Sequence, residues 1–460
     1  VYGELEIQSG ERVEVEYIAQ GTGGIITVKD GGQLIYVRNI LKSINVEKEI
    51  TGYGDKINGQ TDWYLISTPI ADNISDNYTN LITTNNENGN ETPDYDLYLY
   101  DEVNHQWYNY KDNAASFTTL NLGQGYLYAN RNDVTITSVG IPNTNDVNFV
   151  LSAASNITEH GTDMIGFNLI GNPFTFNIGK GTDQAIPNTY LEPGYYTLSP
   201  EDGTWIPAQD SRPIGVGEGV LVETADNSNN GAILTISKTP FTAQSNTRGA
   251  SEETESLSIK VANSDYEDIA YVNFNNKERG LRKIAHMNED AQMVYVPVDG
   301  VNYAIANMST DVKEIPVSLE AYTMGKYTIS IDASDCNFEE IYLRDNFTGE
   351  IVDIINGDYT FVATSSDEAE RFTLMITNNN DDNSDIINQN FAYISNGEII
   401  INDIEGSGNV QIFDVMGRML VTRDVNGSAN ISTETLTNGI YIISLIDDNG
   451  IKTQKIAINK

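Results

Sequence analysis

The feature that most constrains the fold of this chain is an internal repeat between residues 51–150 and 151–245. Three stretches recur in the same order in both copies. They are WYLISTP at 63–69 with FNLIGNP at 167–173, Tyr98 and Trp107 with Tyr196 and Trp205, and LGQGYLY at 122–128 with VGEGVLV at 216–222. The offset falls from 104 residues (Pro69 to Pro173) to 94 residues (Gly125 to Gly219), as loop deletions in the second copy would give. The repeat therefore predicts two domains of one fold.

Each copy contains the parts of an antiparallel β-domain. An apolar strand ends at a proline, which stops ladder pairing, and a tyrosine-rich strand then leads into a hairpin that carries a tryptophan. A Gly-x-Gly step follows and lets the backbone turn into a buried strand. We predict an all-β fold in which the two copies stack as paired sheets or form one jelly-roll-like sandwich.

Residues 257–377 continue the β pattern. Nine runs of alternating polarity, about 10–14 residues apart, predict an antiparallel β-sandwich. They cover residues 257–261, 269–274, 292–298, 303–308, 315–319, 326–331, 340–344, 359–362 and 372–376. Residues 276–290 are expected to be a helical or irregular insert, and Gly280 disfavours a helix. The polar stretches 241–256 and 378–390 are typical of linkers.

Residues 1–50 contain five short predicted strands. The phrase IITVKDGGQLIYV at 25–37, with its Asp-Gly-Gly turn, resembles the end of a β-solenoid or a capping sheet. The first hairpins of the next domain would give the same pattern, and both interpretations stay open.

Residues 391–460 predict a small Ig-like sandwich. Six or seven short strands fit into this length, separated by turn residues. Gly417 lies at a tight reversal, and Asn-Gly pairs at 438–439 and 449–450 are typical of hairpins. Residues 440–446 are apolar on both faces, which indicates a buried central strand.

The order of three motifs in this last segment is more specific than the fold. The runs VQIFDVMGRMLV, LTNGIYIISL and GIKTQKIAI resemble the C-terminal sorting domain of Bacteroidetes proteins exported by type IX secretion. The matching residues are Asp414, Gly417, Arg418, Leu436, Gly439, Tyr441, Lys452 and Lys455. The resemblance implies type IX secretion machinery as a partner and a secreted or outer-surface location. It also implies removal of this domain, often with attachment to a surface glycolipid. Residues 51–245 and 257–377 likewise resemble β-sandwich regions common in such proteins.

Composition narrows the function classes. The formal charge of −40 repels phosphate, which excludes nucleic acid as an expected partner. No apolar run is long enough to span a membrane. The single cysteine, Cys336, permits no intramolecular disulfide and is interpreted as a small apolar residue. Because Val1 opens into a predicted strand without a signal peptide, we expect the sequence to begin inside a longer precursor.

No residue is assigned a catalytic role. The sequence lacks Gly-x-Ser-x-Gly and His-Glu-x-x-His, and the GKGT run at 179–182 does not have P-loop spacing. Three histidines, His105, His160 and His286, leave little for acid–base chemistry, and no cofactor is expected. The polar segment 71–94 is expected to be a mobile loop. Its acidic side chains provide the oxygen ligands that Ca²⁺ prefers, but no residues are assigned to a metal site.

The best functional lead is a group of aromatic side chains in the repeats. Trp107, Tyr108, Tyr110 and Trp205 are candidate ligand-binding residues, because flat rings with polar edges stack on sugars. The competing interpretation is that these rings are core, since the tryptophans recur in both repeats. We expect a non-catalytic protein with a structural, adhesion or interaction role. The alternative is a carbohydrate-binding accessory region of a larger surface enzyme, with host or dietary glycans as partners.

Overall fold

The protein is seen in a computed structural model. It describes residues 3–16, 23–36, 42–54, 61–75, 77–87, 90–111, 117–153, 164–181, 184–241, 255–275, 279–338, 340–377, 391–395, 398–401, 406–447 and 450–458. Thirty-nine strands lie in these segments, and the only helix among them is a single 3₁₀ turn at Asn227–Asn229. The all-β prediction is confirmed. His160, the predicted linker 378–390 and residues 242–254 of the predicted linker 241–256 lie outside the described residues, while Glu255 and Ser256 at the end of that linker begin β22.

The N-terminal strands pair in parallel. They are β1 (Glu4–Ile7), β2 (Arg12–Val15), β3 (Ile25–Val28), β4 (Gln33–Tyr36) and β5 (Ile44–Ile50). One sheet runs β1-β3-β5, and β2 pairs with β4 in a second sheet. A chain that alternates between two parallel ladders is a solenoid, whereas hairpins would have paired antiparallel. The described strands of this segment thus pair as in a short solenoid and not as consecutive hairpins.

The two repeats share one topology. The first contains β6 (Tyr64–Ile66), β7 (Asp72–Asn73), β8 (Tyr78–Thr79), β9 (Thr84–Glu87), β10 (Asn90–Pro93), β11 (Tyr95–Asp101), β12 (Gln106–Asn109), β13 (Thr119–Leu120), β14 (Tyr126–Asn130) and β15 (Val134–Gly140). The second contains β16 (Val147–Val150), β17 (Phe167–Gly171), β18 (Tyr195–Leu198), β19 (Trp205–Ala208), β20 (Gly219–Glu223) and β21 (Ile233–Ile236). Sheet order β12-β11-β14-β6 in the first equals β19-β18-β20-β17 in the second.

Outer strands extend each repeat beyond its expected bounds. β5 pairs with β15 around the first sheet, and β16 pairs with β21 around the second. Each repeat is therefore a two-layer unit, running from 44 to 140 and from 147 to 236. The sequence repeat did not include β5 and β16 because neither strand contains one of the recurring stretches.

The segment at 71–94 is not the mobile loop that was expected. It forms β7, β8 and the β9–β10 hairpin, and β7 and β8 pair with β13 and β15. Ile74 and Leu81, which belong to this segment, are fully buried. These two apolar residues anchor an otherwise polar segment to the first repeat.

The repeats meet through their matched motifs. Ile66 bridges to Glu218, and the equivalent Ile170 bridges to Gln124. Gly171 N–H donates to Gly123 O at 2.9 Å, and its counterpart Ser67 N–H donates to Gly217 O at 2.9 Å. The Gly-x-Gly step of the first repeat thus binds the end of β17, and that of the second repeat binds the end of β6. The arrangement is that of a pseudo-two-fold pair.

The next domain is a sandwich. Its strands are β22 (Glu255–Ala262), β23 (Glu267–Phe274), β24 (Leu281–Arg282), β25 (Met293–Val298), β26 (Val301–Met308), β27 (Glu314–Glu320), β28 (Gly325–Asp332), β29 (Glu340–Asp345), β30 (Glu350–Asp353), β31 (Tyr359–Ala363) and β32 (Phe372–Thr377). All nine predicted strands are present. Pairing is antiparallel except between β23 and β26. The insert at 276–290 is irregular in its described part, apart from β24.

The last domain contains β33 (Ala392–Ser395), β34 (Glu398–Ile401), β35 (Ser407–Asp414), β36 (Met419–Asn426), β37 (Ala429–Ser432), β38 (Gly439–Asp447) and β39 (Gly450–Ile458). These form a three-stranded and a four-stranded antiparallel sheet. The strand predicted to be central, β38, lies between β35 and β39. Its side chains at Tyr441, Ile443 and Leu445 enter the core, whereas Ile442 and Ile446 are exposed.

We expect Gly125→Ala to loosen the joint between the repeats. A Cβ at Gly125 would lie 2.6 Å from Ile170 O and 2.9 Å from Leu169 Cγ. Because backbone must shift to relieve such contacts, we expect the free energy of unfolding to fall by about 1–3 kcal/mol. Urea titration measures it. Gly357→Ala, whose Cβ meets nothing within 4 Å, is the matched control. Equal effects of both changes would contradict the packed joint.

Candidate functional site

The turn from Asp414 to Arg418 is closed by its own motif residues. Asp414 Oδ1 accepts hydrogen bonds from the backbone N–H groups of Met416 (3.0 Å) and Arg418 (2.9 Å). Arg418 Nε donates to Asp414 Oδ2 at 2.6 Å. These hydrogen bonds lower the pKa of Asp414, and the one from the Arg418 backbone N–H has the largest effect. Gly417 has a φ of 77°, which suits glycine. The turn needs Asp and Gly for its shape, while the Arg418 side chain is 76% exposed.

The second motif is largely core. Leu436 and Tyr441 are buried, and Gly439 opens β38 with a φ of 155°. Tyr441 OH donates to Thr437 O at 2.7 Å, four residues earlier. The same corner occurs in the preceding sandwich, where Tyr327 OH donates to Thr323 O at 2.7 Å. Such a tyrosine corner belongs to sandwich architecture, so this motif shapes the domain rather than marking its surface.

The surface of the sorting-motif region is apolar and basic. Phe413 lies opposite Ile442 in β38, which in turn lies opposite Lys455 in β39. Met416 and Val415 project from the turn with 80% and 69% exposure. Lys455 is exposed and Lys452 half-buried. Arg418, its flanking apolar side chains and Lys455 therefore lie on the outer surface of this domain, whereas Lys452 is paired with the buried Leu445 on the core-facing side of the sheet.

A second constellation lies where the second repeat meets the sandwich insert. Arg282 Nε forms a buried ion pair with Glu223 Oε1, and Arg282 N–H donates to Glu223 Oε2 at 2.8 Å. Tyr196 OH donates to Arg282 O at 2.7 Å. Burial raises the pKa of Glu223 despite the nearby Arg282 charge. Charged groups from two domains thus satisfy each other out of water.

A second ion pair extends this junction. Lys283 Nζ donates to Asp268 Oδ2, and both side chains are buried. His286 Nε2 lies 3.4 Å from Asp268 Oδ1, and His286 Nδ1 accepts the Trp205 N–H at 2.9 Å. Burial alone would raise the pKa of Asp268, but the adjacent Lys283 charge lowers it. His286 therefore holds the tryptophan hairpin of the second repeat against the sandwich.

The Gly-Lys-Gly run at 179–181 is also structural. Lys180 Nζ donates to Asn188 Oδ1 (2.5 Å), Glu192 O (2.6 Å) and Asp210 Oδ1 (3.1 Å). The lysine is 1% exposed, so it is unavailable to a phosphate. The adjacent Glu192 side chain is buried, and burial together with the Glu223 charge raises its pKa to about 8.

The candidate aromatic residues divide into two groups. Trp205 is 2% exposed and packs against Tyr196, so its ring cannot stack on a ligand in this conformation. Trp107, Tyr108 and Tyr110 are half-buried on or just after β12. Trp107 packs at 4.9 Å from Tyr100, and Tyr110 packs against Tyr95 and Phe117. The rings of Trp107 and Tyr110 thus pack against neighbouring aromatic rings. The sugar-stacking hypothesis rests on Trp107 and Tyr108.

Other candidate chemistry is sparse in the described segments. They contain no group of three or more His, Cys, Asp or Glu side chains placed to hold a metal ion. Burial raises the pKa of the Cys336 thiol to about 12, which opposes thiolate formation. His105 lies in the β11–β12 turn with a φ of 52°. A cavity of about 20 Å³ lies between the layers of the first repeat, lined by Ile66, Tyr78 and Leu120 among others. None of the described helices is long and apolar enough to cross a membrane.

We expect stability to fall as pH rises toward 8 because of Glu192. Its pKa is about 8 in the fold and 4.5 in a model peptide. Between these values the folded state holds a proton that the unfolded state releases, so raising the pH favours unfolding. Glu192→Gln removes this titration. Between pH 5 and pH 8 the wild type should therefore lose about 2 kcal/mol or more of unfolding free energy that the variant does not lose. Urea unfolding across this range measures it. Parallel curves for wild type and variant would contradict the assignment, and exposed Glu267→Gln is the control.

Comparison with known proteins gives two family matches. Residues 188–376 match a domain of unknown function, DUF8693, which begins inside the second repeat and ends with β32. Residues 386–459 match the secretion system C-terminal sorting domain. No curated protein matches the chain. The prediction made from Asp414, Gly417, Arg418 and their partner motifs is confirmed: the chain ends in a type IX secretion C-terminal sorting domain.

Proposed function

We propose that the protein has a non-catalytic structural or adhesion role at the outer cell surface or in the extracellular space, where its type IX sorting domain directs it. The observation that carries this proposal is the buried junction between the second repeat and the sandwich. Removal of the sorting domain and attachment to a surface glycolipid are part of the proposal.

The junction fixes the domains in one arrangement. One apolar core takes Leu127 from the first repeat, Leu169 and Trp205 from the second, and Ile284 and Ile305 from the sandwich. Two buried ion pairs lie beside it. Loss of one partner from such a pair leaves an unpaired buried charge and costs about 3–5 kcal/mol. A hinge here would separate Arg282 from Glu223. Domains held this way suit a protein that transmits force or presents a surface.

Attachment of cells tests this role. We expect a deletion of the gene to reduce adhesion of the producing bacterium to surfaces or neighbouring cells, and the wild-type gene to restore it. Adhesion is counted under flow after equal growth. A deletion strain that attaches as well as wild type would overturn the proposal.

A second candidate function is carbohydrate binding at the half-buried aromatics. Trp107 lies on β12, an edge strand of its sheet, and its partner Tyr100 keeps it oriented. Trp63 and Tyr98 pack 5.7 Å apart in the same cluster and are also half-buried. Aromatic rings on one sheet provide apolar area to which sugar rings bind.

A glycan array on the purified protein distinguishes this candidate. If the aromatics bind sugars, Trp107→Ala should lower the signal about tenfold or more, since an anchor ring contributes above 1.4 kcal/mol. Tyr322→Ala, exposed on the sandwich, should leave it unchanged. The absence of binding by wild type would contradict this candidate and leave the adhesion role untouched.

Export separates the surface residues of the sorting domain from its core residues. Arg418→Ala removes an exposed side chain, so we expect folding stability to change by less than about 0.5–1 kcal/mol, while export into the medium falls. Tyr441→Phe leaves Thr437 O without its donor and should cost about 1 kcal/mol. Immunoblots of cell and medium fractions, beside urea titrations, measure both. Normal export of Arg418→Ala would contradict recognition at this turn.

A further inference from the structure

The first two strands present open sheet edges. Among the described residues, β1 pairs only with β3, and β2 pairs only with β4. At the other end the solenoid is closed, because Leu34 N–H donates to Thr175 O at 2.7 Å and β5 pairs with β15. The two ladders therefore end in the repeats on one side and in unpaired strands on the other.

The two rungs of the solenoid are copies of each other. Glu4 pairs with Ile25 and Arg12 with Gln33, so equivalent residues lie 21 positions apart in both ladders. The turns stack as well: Gly10 N–H donates to Gly31 O at 3.0 Å, and Gln33 N–H donates to Glu11 O at 2.9 Å. Here a rung means one strand–turn–strand unit, residues 3–15 or 24–36.

Burial falls from the second rung to the first. Inward-facing Ile26, Val28, Leu34 and Tyr36 are all buried. Of their counterparts in the first rung, Ile7 is buried, while Leu5, Val13 and Val15 are half-exposed against the same core. The apolar interior therefore continues into the first rung and is uncovered there.

The turn glycines show what is missing. Gly31 has a φ of 78°, and a Cβ on it would lie 2.4 Å from Ser9 Oγ of the first rung. Gly10 has the same conformation, with a φ of 79°, but nothing lies within 4 Å of its Cβ position. The first rung thus keeps the shape that fits a rung stacked above it, and that space is open.

A lysine joins neighbouring strands of the ladder through ion pairs. Lys29 Nζ lies 3.2 Å from Glu6 Oε1 of the first rung and 3.1 Å from Glu47 Oε2 of β5. The outward side chains at the open edges are Glu4, Glu6, Arg12 and Glu14. The net charge of −40 and these three glutamates disfavour pairing with a second copy. A rung with lysine or arginine above the glutamates repeats the ion pairing that Lys29 makes with Glu6 and Glu47.

We propose that the open edges of β1 and β2 are the docking surface for a further parallel rung of about 21 residues, supplied in cis and basic at its outward positions. The exported protein is then the C-terminal part of a longer β-solenoid that ends on the two repeats. The partner is defined by its chemistry: four inward apolar side chains, a glycine-containing turn and outward cations opposite Glu4, Glu6 and Glu14.

An added rung tests the proposal on the whole chain. Residues 3–23 are duplicated ahead of Gly3, with lysine in the copy at the positions of Glu4, Glu6 and Glu14. The first control keeps the three glutamates. The second control also carries the lysines but has serine at the four inward apolar positions. Hydrogen exchange by mass spectrometry follows the peptide 3–15 in all forms.

We expect the lysine rung to slow exchange in peptide 3–15 about tenfold or more, because paired edge amides exchange only on opening. The glutamate form should protect less and the serine form not at all. Equal exchange in all three forms and the unextended chain would overturn the proposal. Concentration-dependent protection in the unextended chain, with a dimer in sedimentation, would instead assign the edge to a second copy and also overturn it.

Discussion

The buried ion pair between Arg282 and Glu223 is the interaction on which the arrangement of the central domains depends. Arg282 comes from the sandwich insert and Glu223 from the last strand of the second repeat sheet. Desolvating both charges is unfavourable unless they meet with good geometry. The pair therefore adds little to the free energy of folding. It favours one arrangement of the two domains, because any other arrangement leaves a buried charge without its partner. The nearby Lys283–Asp268 pair lies within the sandwich and supports the insert that carries Arg282.

This constraint explains the extent of the DUF8693 match. A domain boundary drawn from composition falls in the polar stretch before residue 257. The matched region instead runs from 188 to 376 and includes both sides of the junction. The contacts that cross the interface, Trp205 with His286 and Glu223 with Arg282, both lie within it. The matched unit therefore joins the later strands of the second repeat, β18 to β21, to the sandwich.

Much of the fold was predictable because it depends on local signals. Alternating polarity gave the nine strands of the sandwich, and the Gly-x-Gly and proline motifs located equivalent strands in both repeats. The sorting domain was predictable because Asp414, Gly417 and Tyr441 each have a fixed structural task. Long-range polar contacts were not predictable. The insert at 276–290 has no periodicity, yet it supplies Arg282, Lys283 and His286 to the junction. Likewise, the sequence alone gives Lys180, in a glycine-rich run, the pattern of a solvated loop lysine, whereas in the structure its buried Nζ donates to three oxygen acceptors. The parallel pairing of residues 1–50 depends on which strands meet, and strand patterns alone do not encode that.

The central claim is that the second repeat and the sandwich open only together. Native-state hydrogen exchange of two amides tests it most directly: Trp205 N–H, bound to His286 Nδ1, and Arg282 N–H, bound to Glu223 Oε2. If the junction is one cooperative unit, both amides exchange with the free energy of opening of the sandwich core strands, and that value falls in parallel as urea is added. Exchange of these amides through a smaller, urea-independent opening, while the strands on both sides stay protected, would show that the domains separate while folded and would contradict the claim.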